Sequence, residues 1–395
     1  MGVSLACNLH HRMKPANTQY DVAVIGGGLA GLSLAIQLAK KDFRVILFER
    51  ERYPFHKVCG EYISMESWCF LQHLGVPLHE MHLPIIQKLQ LTAPNGTAFA
   101  THLPLGGFGI SRFMLDALLC QIAKTCGVTV LEETRVDDVQ HQETFQVNYT
   151  SKGVAASTTA AVCCGAFGKR SNLDVKWKRD FISHPARKEN NYIAVKYHIQ
   201  TDWPEHTIGL HNFKEGYCGI SKIENGQYCF CYLTTAANLK ASGNSITSLQ
   251  QTVLEKNPSL KTILENSTVQ QGFPISIAQV SFAKKKQVEN GVLMVGDSGG
   301  MIAPLCGNGM SMALHGSKIA AALITKYLHG ALTYAQLEKL YQHQWANTFA
   351  VRLAAGRLLQ HFFGGEQLSN LFVQTFRTLP FLASYTIKKT HGQPF

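Results

Sequence analysis

Residues 21–50, DVAVIGGGLAGLSLAIQLAKKDFRVILFER, decide the fold. Asp21 to Ile25 reads as a short buried strand that stops on glycine. Gly26-x-Gly28-x-x-Gly31 follows at once, and Leu29 to Lys40 has helical periodicity. Arg44 to Phe48 is a second strand, ending in Glu49, 18 residues beyond Gly31. Each part has a physical task. Gly26 permits the tight turn, Gly28 lets a pyrophosphate approach the main chain, and Gly31 lets the helix pack on the sheet. The helix N-terminus offers unpaired N–H groups to phosphate, and Glu49 accepts from ribose hydroxyls. The groups expected to face a dinucleotide are thus Gly26, Gly28, Leu29, Ala30 and Gly31, with Glu49 and Arg50 at the second strand's end.

This unit does not by itself separate one dinucleotide from another. A second stretch, MVGDSGGMIAPLCGNGM at 294–310, narrows the choice. The apolar run Val292–Val295 reads as a strand with Asp297 at its tip, placed to bond a second ribose. Gly299, Gly300 and Pro304 shape a loop. Gly307-Asn308-Gly309 then opens a helix, Met310 to Tyr327, whose N–H dipoles suit a pyrophosphate or the electron-rich edge of a flavin.

Together, GGGLAGLSLA with Glu49 and GDSGGMIAPLCGNGM resemble the FAD-dependent enzymes of the para-hydroxybenzoate hydroxylase class, and within it the geranylgeranyl reductase branch. The resemblance covers roughly residues 20–330. It implies an α/β fold with a Rossmann-type FAD-binding domain on a parallel sheet, an antiparallel-sheet substrate domain and a C-terminal helical segment. It also implies that Asp297 contacts the ribitol or ribose region and that Pro304, Gly307, Asn308, Gly309 and Met310 lie against the isoalloxazine. ERYPFHKVCGEYIS, 51 residues into the chain and just after the second strand, resembles a segment that runs past the flavin, which brings in Cys59 and Gly60. Arg112 opens the helix of GISRFMLDALLCQIAKTCGV, where the class has an arginine that helps hold FAD; a plain helix-start charge is the other reading.

The chain also departs from the pattern. Where many class members carry Gly-Ala-Asp-Gly, this sequence has Gly165-Ala166-Phe167-Gly168, so an acid is replaced by an apolar ring. NAD(P)H, a reduced flavin carrier and a separate reductase all remain as electron donors. Prenyl reductases carry Tyr-x-Trp-x-Phe-Pro along the lipid cavity. Here Tyr217 matches, but Gly219 replaces Trp and Ile220-Ser221 replaces Phe-Pro. The Trp-x-Trp-x-Ile-Pro signature of flavin halogenases is absent.

Composition sets the remaining bounds. The 395 residues are 46% hydrophobic and 16% charged, which supplies a core and argues against disorder. No apolar run reaches bilayer length, and the N-terminus lacks signal-peptide and myristoylation patterns. Eleven irregularly spaced cysteines, several in apolar runs, read as free thiols in a reducing cytoplasm, with neither disulfides nor a metal site. The net charge of +11 is not interleaved with a nucleic-acid motif, so no nucleic-acid partner is expected.

The expected domains are a loose extension at 1–19, an FAD-binding domain at 20–85, 105–175 and 284–330, a substrate domain at 86–104 and 176–283, and C-terminal helices at 331–395. Residues 244–261 read as helical within the substrate domain. In RLAAGRLLQHFF, apolar Leu353, Leu358 and Phe362 oppose Arg352, Arg357 and His361; this reads as a helix packed on the body, or as a basic surface that touches membrane. Catalytic candidates are Glu61, as a carboxyl whose pKa is raised by an apolar cleft; Cys59, activated by His56 and Lys57; and Tyr217. Each also has a plainer reading, respectively a surface ion pair, a packing thiol and a core aromatic. The function expected first is a monooxygenase that hydroxylates a lipophilic aromatic, polyketide or quinone-precursor-like, through a flavin C4a-hydroperoxide. The alternatives are a reductase of an isoprenoid or other carbon–carbon double bond, and a non-catalytic flavin-binding protein.

Overall fold

A computed structural model describes residues 19–183, 191–362 and 365–395. The expected N-terminal extension therefore lies, but for its last residue, outside the described residues. Two sheets carry the fold. In the first, strands run in the order 288–289, Val292–Met294, Val154–Gly165, Tyr20–Ile25, Val45–Phe48 and Thr129–Leu131. From Val292–Met294 onward these pair in parallel, and the hairpin Thr134–His141/Phe145–Ser151 adds antiparallel to Val154–Gly165. The central parallel strands, at 22–25, Val45–Phe48, 160–165 and Val292–Met294, are buried apolar runs, as a sheet covered on both faces requires, while the edge strand Thr129–Leu131 is half-buried.

Register places the site. Ile25 pairs with both Phe48 and Gly165, and Gly165 pairs with Met294. The loops that begin at Gly26, Glu49, Ala166 and Val295 therefore leave one carboxyl edge side by side. Ligands of parallel α/β sheets bind at such an edge.

Helix α1 (Leu29–Ala39) follows the first loop, α2 (Arg112–Thr125) is capped by the Ser111 hydroxyl, and α3 (Gly309–Leu328) follows the last loop. Small residues let α1 and α3 approach closely, and the Ser33 hydroxyl donates to that of Ser317 at 2.7 Å. Leu32, Leu34, Ile36 and Leu38 of α1 are fully buried, each worth about 1.5–3 kcal/mol of transfer free energy.

The second sheet has nine strands, in the order 268–269, Tyr192–Gln200, Tyr228–Thr235, Gly216–Lys222, Thr207–Phe213, Ile85–Thr92, Ala98–Gly109 and Tyr62–Ser64, with Ile275–Val280 also on Tyr192–Gln200. It is antiparallel except where Thr207–Phe213 runs parallel to Ile85–Thr92. Tyr62–Ser64, from a segment expected in the first domain, is an edge strand of this sheet. Residues 244–261 are helical in three pieces, Ile246–Thr252, Leu254–Lys256 and the start of Pro258–Glu265. The chain breaks at Asn257, whose side chain accepts from the Ser259 N–H, and restarts at Pro258.

Three helices close the described chain: α4 (Tyr334–Phe362), α5 (Glu366–Thr378) and α6 (Pro380–Thr390). Leu337, Tyr341, Trp345, Phe349 and Leu353 form a buried stripe at four-residue spacing on α4. The expected amphipathic split at 352–362 is corrected here. Leu358 stands 61% exposed, while Arg352 turns inward to Glu66, Nη1 to Oε2 3.4 Å. The side chains of His361 and Phe362 lie outside the described ones. The ten cysteines of the described residues are free thiols. Among the described residues no helix is long and apolar enough to cross a membrane.

Candidate active site

The first loop is built for close approach. Gly26 has φ +106°, and a Cβ on Gly31 would lie 1.9 Å from the Gly26 carbonyl oxygen, so α1 begins hard against the first strand. Glu49 accepts from the Gly27 N–H at 2.9 Å and from the Glu51 N–H at 3.1 Å, which fixes its carboxylate at the loop. Arg50 is exposed on the cavity rim, paired with Glu51 at 3.3 Å.

Gly28 supplies the test of fit for FAD. A Cβ there would meet nothing closer than Arg112 Nη2 at 3.5 Å and Lys57 Nζ at 3.7 Å. Bare backbone at the N-terminus of α1 thus faces two cations. Both are tethered by one buried carboxylate, Asp116, at 2.7 and 2.8 Å from the Arg112 guanidinium and 3.0 Å from Lys57. Burial alone would raise the Asp116 pKa, but Arg112 and Lys57 hold it below the ordinary range. Lys57 also lies 3.8 Å from Glu49, so two carboxylates balance the two cations, and what the cluster offers a pyrophosphate is guanidinium and ammonium donors beside a helix N-terminus.

The late loop completes the enclosure. A Cβ on Gly296 would lie 2.9 Å from the Ala30 Cβ, so this loop crosses directly over the start of α1. Asp297 lines the cavity, and its carbonyl accepts from Lys285 at 2.9 Å. Lys285 also donates to the Lys169 carbonyl at 2.8 Å, tying the loops that follow Gly165 and Val295. Burial brings the Lys285 pKa down to about 8. After the turn Pro304–Cys306, Gly307 takes φ +64° against the Tyr62 ring, and Gly309 and Met310 open α3. Met310 Sδ is 3.5 Å from Cys59 Sγ, so the segment containing Cys59 and Gly60 touches the late loop. Asn308 is fully buried, and its side chain donates to the Thr390 carbonyl at 2.9 Å. What this position can set against a flavin is therefore its main chain, as part of the Pro304–Met310 segment.

These groups share one cavity of about 840 Å³. Gly26, Gly28, Leu29, Ala30, Glu49 and Arg112 line one part; Asp297, Pro304, Gly307, Gly309 and Met310 line another. Beyond the late loop its wall is apolar, with Leu91, Leu210 and Leu233 from the second sheet and Phe372, Phe376 and Ile387 from α5 and α6. Phe167 also lines it, its ring packed over Gly165 and edge-on to Trp177 at 6.4 Å.

Glu61 corrects a second expectation. Its carboxylate is not a free acid in an apolar cleft. It is fully buried at φ +55°, pairs with Lys196, accepts from His198 Nε2 at 2.7 Å and accepts from the Arg112 N–H at 2.7 Å. Burial alone would raise its pKa, but the hydrogen bond from His198 and the charge of Lys196 hold it below the ordinary range. Glu61 anchors the segment that carries Cys59 and Gly60 to the second sheet and positions the start of α2. Glu61, His198 and Cys229 offer ligand atoms within 4.8 Å of one another, but the Lys196 ammonium already supplies the cation there.

Activation of Cys59 by its neighbours is corrected too. Burial and the charges of Lys196 and His198 lower His56 to about 4, so it is neutral near pH 7, and Lys57 is paired with Asp116. Tyr217 lines the cavity, and burial pushes its phenol far above the ordinary range, so it stays protonated. Sequence reasoning missed Asp116, Lys196, His198 and Lys285. Asp116 carried a signal, being four residues after Arg112 on a helix. Lys196 and His198 carried another, two polar groups at strand spacing inside YIAVKYHIQ.

A family model described as FAD binding domain matches residues 19–344. The chain belongs to this family of FAD-dependent oxidoreductases, and its cofactor is FAD. It is 23% identical to conditioned medium factor receptor 1 of Dictyostelium discoideum, over 94% of this chain and 74% of that protein. To the digeranylgeranylglycerophospholipid reductase of Methanosarcina mazei it is 24% identical, over 84% of this chain and 81% of the reductase. To squalene epoxidase of Schizosaccharomyces pombe it is 23% identical, over 78% of this chain and 70% of the epoxidase. The fold is shared with the flavin-dependent brominase Bmp2, TM-score 0.77 at 19% identity, covering 94% of this chain and 93% of that one.

Proposed function

We propose that the protein is a monooxygenase that inserts one oxygen atom into a lipophilic aromatic substrate. The observation that carries this reading is the shape of the apolar chamber opposite Pro304–Met310. Gly219 lines it as bare backbone, where even a Cβ would make ordinary contact at 3.8 Å, so no side chain projects from this point into the cavity of about 840 Å³, which supports the fit of a flat ring. Leu91, Leu210 and Leu233 stand on the same sheet, and the protonated Tyr217 offers a hydrogen bond to an oxygen substituent.

Bound FAD, once reduced, supplies two electrons with dioxygen, so that one oxygen atom enters the substrate and the other leaves as water. The chain's part is binding and exclusion of water. Gly28, Arg112 and Lys57 hold the pyrophosphate, Glu49 and Asp297 meet ribose and ribitol hydroxyls, and the Pro304–Met310 backbone faces the ring. The apolar wall keeps bulk water from the reacting atoms. Electrons come from NAD(P)H or from a reduced flavin carrier supplied by a separate reductase.

The experiment is incubation with an alkylated phenol and each reductant in turn, followed by mass analysis. The expected product has gained one oxygen atom, derived from dioxygen. A second reading, reduction of a carbon–carbon double bond, is favoured by the similarity to the digeranylgeranylglycerophospholipid reductase over most of both chains. It predicts a gain of two hydrogens on an isoprenoid and no oxygen consumption in product formation.

A further inference from the structure

Twelve large apolar side chains stand exposed among the described residues, and seven of them fall between Val351 and Tyr385. The densest group is the corner between α5 and α6. Arg377 to Phe381 are all exposed, Leu379 and Phe381 among them, and Tyr385 follows one turn later at 60% exposure. Lys389 Nζ stands 5.4 Å from the Tyr385 ring. Leu368 and Leu371 add exposed apolar surface on α5. From Val351 to Phe395 the sequence has five cations and one acid, Glu366. Arg352 is taken up by Glu66, which leaves Arg357, Arg377, Lys388 and Lys389 exposed.

The inner faces of the same helices line the active-site cavity, through Phe372 and Phe376 of α5 and Thr386 and Ile387 of α6. A wall one helix thick therefore separates the cavity from this apolar, basic corner. A second copy of the chain would bring an equally basic corner against it. An anionic lipid surface answers both its charge and its apolarity.

We infer that the α5–α6 corner docks on an anionic phospholipid bilayer, with Leu379, Phe381 and Tyr385 entering the interface and Arg377, Lys388 and Lys389 at the headgroups. The docking stands on the corner alone. Its use, to set the cavity wall against a lipid-dissolved substrate, rests on the function proposed above.

The test is flotation of the FAD-loaded protein with phosphatidylcholine vesicles, with and without phosphatidylglycerol. Wild type is expected to float with the anionic vesicles, and less so at high salt. Phe381→Ser with Tyr385→Ser should lower the partition about tenfold or more. Lys388→Glu with Lys389→Glu should lower it by about fivefold per cation removed, or more. These side chains are exposed, so thermal midpoints should hold, and turnover of a detergent-dispersed substrate should match wild type. That last readout separates a failure of docking from a failure of the proposed chemistry. Wild type that stays free of every vesicle overturns the inference. So does binding that both double variants retain, or a dimer in solution that Phe381→Ser dissolves while lipid binding is absent.

Discussion

Glu61 holds an ammonium, an imidazole and a backbone N–H around one carboxylate that water does not reach. Removing it leaves Lys196 buried without its anion. Glu61→Ala should therefore cost about 3–5 kcal/mol of stability, read as a lowered denaturant midpoint, with Glu61→Gln milder because it keeps acceptor capacity. The pH sign follows from the depressed Glu61 pKa. Its contribution is present above the ordinary carboxyl range and is lost as pH falls through the folded value, so the gap between wild type and Glu61→Gln should narrow as pH falls below the ordinary carboxyl range. Lys285 has the opposite sign of cost. Its folded pKa of about 8 lies below the ordinary lysine value, so the unfolded chain binds more protons between the two. Stability relative to Lys285→Met should rise with pH through that window, by up to about 3 kcal/mol, in thermal scans taken across it. The partners of Glu61 were not legible in the sequence. Alternation along Tyr192–Gln200 tells which residues share a face, but not that a segment 135 residues earlier lies against it.

Among the elements, the glycine loops and their helices were legible, because turn, close approach and helix start each demand a residue type that leaves a mark. Gly31 is the strictest case. Gly31→Ala would set a methyl group 1.9 Å from a backbone oxygen, so the variant should lose FAD, seen as a colourless protein after gel filtration, or fail to fold. Arg112→Ala removes one of the two cations at Gly28 and should weaken FAD retention by about tenfold or more, measured by flavin fluorescence on dilution. Gly219→Trp asks a different question of the second sheet. It fills the space facing the late loop, so substrate turnover should fall steeply while FAD stays bound. Less legible were breaks and inversions. Asn257 splits a stretch whose periodicity is helical, and the buried pair Arg352–Glu66 reverses the face that charge alone assigns to α4. In both, a tertiary contact overrode a local pattern.

At the scale of the molecule, two loops some 270 residues apart are brought over one cavity by the register of Ile25, Gly165 and Met294. The second sheet and the last three helices then wall the same cavity with apolar side chains. The long-range part of this arrangement came from the sequence only through the paired motifs, whereas the nine-stranded order, with its one parallel junction, is a product of packing that short alternating runs do not encode. The most direct measurement is a crystal structure of the protein carrying FAD. The account predicts pyrophosphate at Gly28 between Arg112 and Lys57, and the isoalloxazine against Pro304–Met310 on the side of Tyr217 and Gly219. An FAD whose ring lies away from the Pro304–Met310 loop, or whose pyrophosphate makes no contact with the Gly26–Gly31 turn, would contradict it.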